Sequence, residues 1–410
     1  MDAQRPAPGD DRYRILFEHS SDAHLLVLDG GILDCNEAAV SLLGCASRAE
    51  VLRIHPAELS PSRQPDGRDS LEKSREMDAM AHARGWHRFE WVHRSKQGED
   101  LPVEVTLNSV PLDGRQGLIA VWHDLREIKR RERELRELGE ALQAAHDKLK
   151  RDLEAAARIQ AALLPRRLPV VGGLDIAWEF LPADELAGDI LNVFLLDDDH
   201  LAFYVLDVSG HGVAASLMSV TASHFLSPLA DASILRRPAA AGGTAIAAPA
   251  DVAARLNQQF PPREGAVQFL TLFYGVLHLT TRRLDYTCAA HPGAVLLGAD
   301  GTSRLLEHPG LPIGVVPGAQ YADGHVVLEP GDRLFVLSDG IPEARRTDGT
   351  FYGTERLVEV LQGARDRALG ASVEAVVSDV TAWCAPDGPQ DDVSLLGLGL
   401  QPAVQGASGP

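Results

Sequence analysis

Apolar and polar positions along the chain divide it into three segments that differ in their period. Between residues 11 and 125, short apolar runs alternate with turn residues. The stretch "RFEWVHRSKQGEDLPVEVTLNSVPLDGRQGLIAVWHDL" predicts three antiparallel strands, joined by turns at Gln97-Gly98 and Asp113-Gly114. The first segment is therefore predicted to be a small α+β domain.

The second segment, residues 126–163, is rich in Glu, Arg, Lys, Ala and Leu and has a seven-residue apolar repeat. A second apolar row lies three places later, and Arg131 and Asp152 interrupt it. The repeat predicts a coiled-coil linker, for which we favour a parallel dimer. A single amphipathic helix lying on a neighbouring domain is the alternative. The first row contains Ile128, Leu135, Leu142, Leu149, Ala156 and Leu163, and the second contains Leu138, Ala145 and Ile159.

In the third segment, residues 164–401, strands alternate with helices. Residues 231–250 are predicted to form a flexible loop, because this stretch rich in Ala, Gly and Pro has neither apolar periodicity nor bulk. Residues 1–10 are predicted to be disordered and residues 402–410 to be a flexible tail. The expected organisation is an N-terminal domain at 11–125, a helical linker at 126–163 and a C-terminal domain at 164–401.

Charge and composition exclude some classes of function. With 39 basic and 58 acidic residues, the formal charge of −19 argues against a nucleic-acid partner, which needs a basic surface. No uninterrupted apolar run approaches the ~20 residues that cross a bilayer, and the start "MDAQRPAPGDDRYR" has no signal-peptide core. We therefore expect a cytoplasmic protein with no membrane partner. The four cysteines form no C-x-x-C pair, so neither a zinc site nor a disulfide is expected.

Candidate chemistry begins with the run "GDILNVFLLDDDHLAFYVLDVSG", which reads as two strands around a polar tip at residues 197–200. Folding this run into a hairpin places Asp189 nearly opposite Asp207. Opposite side chains on antiparallel strands lie about 4.5–5.5 Å apart at Cβ. Two ionised carboxylates at that distance repel each other, so we expect either a cation between them or a raised pKa on one of them.

A second carboxylate pair arises in the same way. Asp339 ends the strand in "GDRLFVLSDG", and Asp392 precedes the strand in "DDVSLLGLGL", so antiparallel pairing would bring both to one end of a sheet. Oxygen-only ligands suit Mg²⁺ or Mn²⁺, and four such carboxylates predict a two-metal centre. Taken singly, each aspartate is more often a turn residue than a metal ligand, and it is the four together that predict the metal centre. The three acids at 197–199 are expected to be solvated at the hairpin tip rather than bound to metal.

The N-terminal motifs "ILDCNEAAVSLLG", "HRSKQGEDLPVEV" and "VWHDLREIKRRE" resemble a PAS domain over about 115 residues. The resemblance implies a sensor, but the sequence does not identify its ligand. His55 and His82 are candidate haem ligands, although lone histidines are more often surface or packing residues. A PAS domain without a ligand, which serves only in dimerisation, is the alternative.

The C-terminal motifs are more specific. In order and spacing, "ELAGDILNVF", "DVSGHGVAASLM", "YTCAAHPGAVLL", "GDRLFVLSDGIPEA" and "QDDVSLLGL" resemble the PPM-type serine/threonine phosphatase domain of the stage II sporulation protein E class, over about 235 residues. "AARIQAALLPRRLP" is similar to the segment that precedes this domain in its stress-response relatives. The resemblance implies a sandwich of two antiparallel sheets flanked by helices (αββα), with two or more Mn²⁺ or Mg²⁺ ions at one end.

Carried over residue by residue, the resemblance implies a metal role for each predicted aspartate. Asp207 would bridge the ions and the Val208 carbonyl would be a further ligand, while Asp339 and Asp392 would hold one metal. Asp189 would contact the other side of the centre, directly or through water.

Some positions depart from the family pattern. Ala187 stands where glycine is common, Asn192 replaces a frequent second acid, and "YTCAAHPG" lacks the usual Asn. For His211 we favour a structural role at a helix start over that of a general acid, and we expect His291 to be a core residue.

The implied activity is hydrolysis of a phosphoserine or phosphothreonine monoester without a covalent enzyme intermediate. The resemblance further implies an anti-anti-sigma (STAS-domain) substrate in a partner-switching pathway, and regulation by the PAS domain in a homodimer formed through PAS and coiled coil. Two alternatives stay open. The chain could be a phosphatase for another phosphoprotein, or, given Ala187 and Asn192, a PAS scaffold that binds a phosphoprotein with little turnover.

Overall fold

The computed structural model describes residues 10–54, 56–112, 114–238, 243–262, 268–307 and 309–402. Internal contacts divide the chain into two units, Met1–Ala145 and His146–Pro410. Residues 1–9 and 403–410, which cover nearly all of the predicted disordered start and flexible tail, lie outside the described residues, as does His55.

The N-terminal unit contains one antiparallel sheet with helices packed on it. The strands are β1 (Ala23–Leu28), β2 (Gly31–Cys35), β3 (Trp86–Arg94), β4 (Asp100–Leu112) and β5 (Arg115–Asp124). Their order is β2-β1-β5-β4-β3. The helices are α1 (Asp10–Glu18), α2 (Glu37–Leu43), α3 (Arg48–Val51) and α4 (Ser70–Arg84), with a 3₁₀ turn at Pro56–Leu59.

The three predicted strands of this unit are confirmed as β3, β4 and β5, which pair in sequence order. Burial alternates along β4, because successive side chains of a strand point to opposite faces and one face covers the core. Gly98 adopts a φ of +86° in the first turn, a conformation that glycine takes without strain. The α+β class predicted for this segment is confirmed. His82, one of the two candidate haem ligands, is exposed and contacts the Ser109 hydroxyl at 2.9 Å.

The linker is a single helix, α5 (Arg126–Ala161), of 36 residues. The leucine and isoleucine residues of the predicted apolar rows that lie within α5 are exposed, with Leu135, Leu138 and Leu142 at 69%, 66% and 70%. At these positions, therefore, no described part of the same chain covers the helix, which is unlike the alternative of a helix lying on its own domain. An uncovered seven-residue repeat is the pattern of a coiled-coil strand.

The C-terminal unit has two antiparallel sheets that pack face to face. The first has the order β15-β12-β11-β8-β7 and the second β14-β13-β16-β17-β6. The first contains β7 (Ile190–Leu195), β8 (His200–Val208), β11 (Leu270–His278), β12 (Arg283–Ala289) and β15 (Gly324–Val327). The second contains β6 (Leu174–Leu181), β13 (Ala294–Leu297), β14 (Ser303–Leu306), β16 (Arg333–Leu337) and β17 (Val393–Leu400).

Helices cover the outer face of each sheet. The first sheet is covered by α6 (Val213–Phe225) and α7 (Pro249–Gln259), and the second by α8 (Gly353–Gly363) and α9 (Leu369–Trp383). Phe203 and Leu272 from the first sheet share one buried core with Val336 and Leu396 from the second. Because both faces of the central strands are covered, β8 reads as a nearly continuous apolar run. The predicted αββα sandwich is confirmed.

The prediction of a loop over residues 231–250 is wrong in part. Two short strands, β9 (Arg236–Pro238) and β10 (Thr244–Ile246), pair with each other within this stretch. Helix α7 then begins at Pro249, because proline has the φ of a first helical turn and lacks only an N–H that would be unpaired there. Each of these two strands has only three residues, which is too short to show the alternation of apolar and polar residues by which a strand is recognised in a sequence.

Among the described residues, no helix combines the length and the apolar character required to cross a bilayer.

Candidate active site

The β7–β8 hairpin brings the first two predicted aspartates together. Its register pairs Ile190 with Leu206, so Asp189, one residue before, lies opposite Asp207, one residue after. Asp189 is buried, at 2% exposure, and Asp207 is half-buried at the rim of the sheet. The predicted opposition of the two carboxylates is confirmed.

The second pair lies at the end of the other sheet. The register of β16 with β17 pairs Leu337 with Leu395, which carries Asp339 and Asp392 to the same end of these strands. Gly340 is required there, because a Cβ at this position would lie 2.0 Å from the carbonyl oxygen of Asp392. The predicted shared strand end is confirmed.

Hydrogen bonds join the two sheet ends. The Ser394 hydroxyl, on β17, donates to Asp189 Oδ2 at 2.6 Å. The Asp392 carboxylate accepts from the backbone N–H of Gly188 at 2.7 Å and of Ala183 at 2.9 Å. Residues from both sheets therefore meet at one end of the sandwich, with Asp392 holding the loop that carries Asp189.

Asp391, which was not among the predicted site residues, lies close enough to the other carboxylates to change their pKa values. Its charge raises the pKa of both Asp207 and Asp339, whereas the oxygens of Asp392 accept bonds from the backbone. Asp391 is exposed and Asp392 is buried, because neighbouring residues at a strand start point to opposite sides. The signal in the sequence was the doubled acid in "QDDVSLLGL", of which only one member could face the site.

Among the described residues, no basic side chain lowers the pKa of Asp189, Asp207 or Asp339. Burial raises the pKa of Asp207 to about 7, with further repulsion from Asp339 and Asp391, while a hydrogen bond with Asp189 acts in the opposite direction. Burial, followed by repulsion from Asp391 and Glu343, raises the pKa of Asp339 to about 6. Burial and the charge of Asp207 raise the pKa of Asp189 well above its usual range. Such a concentration of negative charge favours a bound cation.

The donor set fits a hard divalent cation. A Cβ on Gly188 would lie 3.0 Å from the carbonyl oxygen of Val208, 3.3 Å from that of Gly210 and 3.6 Å from Asp207 Oδ1. Carbonyl and carboxylate oxygens thus surround a space that glycine leaves open. Such oxygens are the ligands that Mg²⁺ and Mn²⁺ prefer.

The carboxylates come in two pairs, one from each sheet, and do not form a complete set of ligands around one ion. Within the described ranges, no group of three Asp, Glu, His or Cys side chains is close enough to hold one ion. Carboxylates alone would therefore not complete the coordination here, and carbonyl oxygens and water would have to do so. Mg²⁺ is commonly bound in that way, with one or two carboxylates and several waters.

The two predicted histidines lie outside the carboxylate group. His211 Nδ1 lies 3.2 Å from Asp184 Oδ2 and its side chain is 85% exposed. It does not cap α6, whose N-cap is Gly212. His291 is buried, contacts the Thr271 hydroxyl at 2.7 Å, and has its pKa lowered to about 3 by burial, so it is a neutral core residue, as expected.

The end of helix α5 is hydrogen-bonded to the site loop, a contact that the sequence did not predict. The Gln160 side chain donates to the Ala187 carbonyl at 2.6 Å and accepts from the Ala187 N–H at 3.1 Å. It also donates to the Ser219 hydroxyl on α6 at 3.3 Å. Asn192 donates to the Leu163 carbonyl at 3.4 Å. Two of the three departures from the family pattern, Ala187 and Asn192, therefore contact the end of the linker.

Comparison with protein families gives two matches. Residues 197–401, half of the chain, match the stage II sporulation protein E (SpoIIE) family, and residues 21–127 match a PAS domain. The SpoIIE match contains Asp207, Asp339, Asp391 and Asp392, while Asp189 lies before it.

Among individual proteins, the chain is 30% identical over 233 residues to Protein IcfG of Synechocystis sp., covering 51% of this chain and 35% of that protein. It is 28% identical to Phosphoserine phosphatase RsbU of Bacillus subtilis, covering 51% of this chain and 59% of RsbU. The chain thus spans less than two thirds of the length of either relative. The SiaA-PP2C domain of Pseudomonas aeruginosa has the same fold, with a TM-score of 0.51 and 22% identity over 62% of this chain and 98% of that one.

Proposed function

Because the chain belongs to the stage II sporulation protein E family, we propose that its C-terminal unit is a metal-dependent protein serine/threonine phosphatase that the PAS domain regulates. The observation that supports this proposal is a group of carboxylates at one end of the sandwich, namely Asp189, Asp207, Asp339 and Asp391. The pKa values of the first three are raised, and no basic side chain among the described residues lowers them. The name of the relative RsbU, a phosphoserine phosphatase, supports the same reaction.

We assign the cation contacts to Asp207, Asp339 and Asp391, together with the Val208 carbonyl. The metal contact predicted for Asp392 is moved to Asp391, because the Asp392 carboxylate already accepts two short hydrogen bonds from the backbone. Asp392 then positions the loop that carries Gly188 and Asp189.

The proposed reaction transfers the phosphoryl group of a phosphoserine or phosphothreonine directly to water. When bound, Mn²⁺ or Mg²⁺ would lower the pKa of water, so that a nucleophile is available at neutral pH, and would offset charge on the phosphoryl oxygens. Asp207 interacts with the carboxylates of Asp189, Asp339 and Asp391, and would hold the cations together with them. Burial and the charge of Asp207 raise the pKa of Asp189, and a hydrogen bond joins the two carboxyl groups. Asp189 would contact the other side of the metal centre, directly or through water, as the resemblance implies. No C-x₅-R motif occurs in the sequence, so a cysteine nucleophile is not part of this reaction.

For the substrate we propose a serine- or threonine-phosphorylated STAS-domain protein of a partner-switching pathway, as the resemblance to the stress-response relatives implies. The alternative of a PAS scaffold with little turnover was suggested by Ala187 and Asn192. In the structure these two residues contact the end of the linker through backbone and amide groups, so we do not favour that alternative. Neither residue replaces one of the carboxylates assigned to the cations.

We propose that the chain forms a parallel homodimer through α5, whose apolar row is exposed in the single chain. Regulation would act through the same helix, because Gln160 at its end bonds to Ala187, two residues before Asp189. A rotation or shift of α5 would thus displace the loop that carries the site. Removal of residues 1–125 should change the rate of turnover or its Mn²⁺ dependence, and unchanged kinetics at limiting and saturating Mn²⁺ would exclude this regulation.

The function is tested by phosphate release from a serine-phosphorylated STAS protein, with p-nitrophenyl phosphate and an unrelated phosphoserine peptide in parallel. We expect Mn²⁺-dependent release from the STAS protein at a higher kcat/KM than from the peptide, and none in EDTA. Release from all three substrates at equal kcat/KM would retain the phosphatase but exclude the STAS assignment. No Mn²⁺-dependent release from any of them would contradict the proposed function.

A further inference from the structure

The N-terminal unit contains a cavity of about 410 Å³ between helix α4 and the inner face of its sheet. Small-molecule sites in proteins commonly have volumes of about 300–1,000 Å³. Three aromatic side chains line this cavity, namely Phe89, Trp91 and Trp122. The cavity is therefore of a suitable size for a small organic ligand with an apolar body.

Most polar groups that line the cavity are paired within the protein. The Ser60 hydroxyl accepts from Trp91 Nε1 at 3.0 Å, and the Ser70 hydroxyl donates to the Pro61 carbonyl at 2.6 Å. His93 is buried, stacks on Trp122 with ring centres 3.8 Å apart, and contacts the Leu59 carbonyl through Nδ1 at 3.0 Å. Burial lowers the pKa of His93 to about 4, so its ring is neutral. None of these groups offers a ligand a free charge.

Asp78 is different, because it lines the cavity and has no hydrogen-bond or ion-pair partner in the described part of the chain. It is half-buried on α4, and burial raises its pKa, opposed only by the charge of His82 one turn later. Lys73, whose ammonium lies 5.4 Å from the ring centre of Trp91, is already paired with Asp66 at 2.7 Å. A carboxylate without a partner, in a cavity that aromatic side chains also line, is a site at which a cation gains a charge-assisted hydrogen bond.

We propose that this cavity binds a small aromatic amine, with its ammonium group on Asp78 and its ring among Phe89, Trp91 and Trp122. Arg75 also lines the cavity and offers the opposite charge for an anionic ligand. It is exposed, however, and keeps its hydration, whereas Asp78 is partly desolvated and gains more from a partner. The inference concerns the N-terminal unit alone and does not depend on the proposed phosphatase activity.

The test is isothermal titration of the full chain with three indoles that share a ring and differ in charge, namely tryptamine, tryptophol and indole-3-acetate. We expect tryptamine to bind at least about tenfold more tightly than the other two, because only its ammonium group can form a charge-assisted hydrogen bond with Asp78. Asp78→Asn should remove this preference while tryptophol binding is retained. The matched control is Glu72→Gln, an exposed acid on the same helix outside the cavity lining, and it should behave as the unaltered chain does.

Three results would overturn the proposal. The first is an absence of binding by both tryptamine and phenethylamine. The second is equal binding of tryptamine by Asp78→Asn and the unaltered chain. The third is preferred binding of indole-3-acetate that is lost in Arg75→Gln, which would assign the cavity to anions. Asp78→Asn removes an unpaired, half-buried charge, so the unfolding midpoint should not fall, and retained tryptophol binding shows that the cavity is intact.

Discussion

Both ends of the β7–β8 hairpin carry aspartates, but the pKa of Asp199 at the tip is lowered, whereas the pKa values of Asp189 and Asp207 at the other end are raised. At the tip, Asp197 accepts from the Asp199 N–H and contacts His200 at 2.7 Å, while Asp199 accepts from Thr280 and pairs with His278 at 3.1 Å. The pKa of Asp199 is lowered, chiefly by the hydrogen bond from the Thr280 side chain. At the strand ends, Asp189 and Asp207 are desolvated beside other carboxylates, and their pKa values are raised.

The difference shows that the number of acids in a run does not identify a cation site. Three consecutive acids at the tip are satisfied by local donors and by solvent, whereas acids that are far apart in sequence are forced together at the other end. A carboxylate that the fold desolvates beside another carboxylate stays costly until a proton or a cation compensates it. The strand ends are therefore the functional end of the hairpin.

The largest expected effect is on turnover, and it is seen by comparing one substitution at the strand ends with one at the hairpin tip. Asp207→Asn should lower Mn²⁺-dependent phosphate release by about a thousandfold or more, because a catalytic cation supplies several kcal/mol of transition-state stabilisation. Asp198→Asn, at the exposed tip, should leave the rate within about twofold. Initial rates with p-nitrophenyl phosphate measure both. Near-normal turnover by Asp207→Asn would exclude this site.

The adjacent acids of β17 should separate in the same way. Asp391→Asn should lower turnover by about a hundredfold or more, through loss of a cation contact, without lowering the unfolding midpoint. Asp392→Ala should destabilise the C-terminal unit by about 1–3 kcal/mol, because the buried N–H of Gly188 and the N–H of Ala183 lose their acceptor. Paired kinetics and urea unfolding check this. Turnover by Asp391→Asn equal to that of the unaltered chain would mean that Asp392, and not Asp391, contacts the metal.

The pH dependence of stability should also differ between the two ends. A carboxyl whose pKa is raised by folding keeps its proton where the unfolded chain has lost it. In EDTA, stability should therefore fall as pH rises from about 4 to about 7, where Asp207 titrates. Asp207→Asn should reduce this fall by about 1–3 kcal/mol. Asp199, with its lowered pKa, contributes above pH ~4 and loses its contribution as pH falls below that value.

Urea unfolding between pH 3 and pH 8 distinguishes these opposite slopes. If Asp207→Asn has the same profile as the unaltered chain, the carboxylates are not desolvated in the way described.

The smallest expected effect is on stability, and it concerns the hydrogen bonds between Gln160 of the linker and Ala187 in the site loop. Gln160→Ala should cost about 1–3 kcal/mol, because both backbone groups of Ala187 lose a buried partner. Glu154→Ala, exposed on the same helix, is the matched control and should change stability by less than about 0.5 kcal/mol. Urea unfolding of the two variants measures the difference. Equal stability would mean that the Gln160 contact is replaced by water.

The arrangement of the aspartates could be predicted in part from the sequence. A strand has a period of two, so the length of the apolar runs and the position of the polar tip determined that Asp189 faces Asp207. The same reasoning brought Asp339 and Asp392 to one strand end, because antiparallel neighbours reverse direction there.

Other parts of the site could not be predicted, for physical reasons. The choice between Asp391 and Asp392 depends on which of two neighbouring residues turns toward the loop of Gly188, and that contact is set by the other sheet. The Gln160 contact joins positions 27 residues apart through a single side chain, and no period in the sequence records it. The pairing of β9 with β10 was missed because these strands have no alternating apolar pattern.

The claim on which the account rests is that the strand-end carboxylates hold divalent cations. Titration of Mn²⁺ into the metal-free chain, followed by the loss of the free Mn²⁺ electron paramagnetic resonance signal, tests it without any substrate. We expect Asp198→Asn to bind Mn²⁺ as the unaltered chain does and Asp207→Asn to lose most of the binding. Equal Mn²⁺ binding by the unaltered chain and Asp207→Asn would contradict the claim.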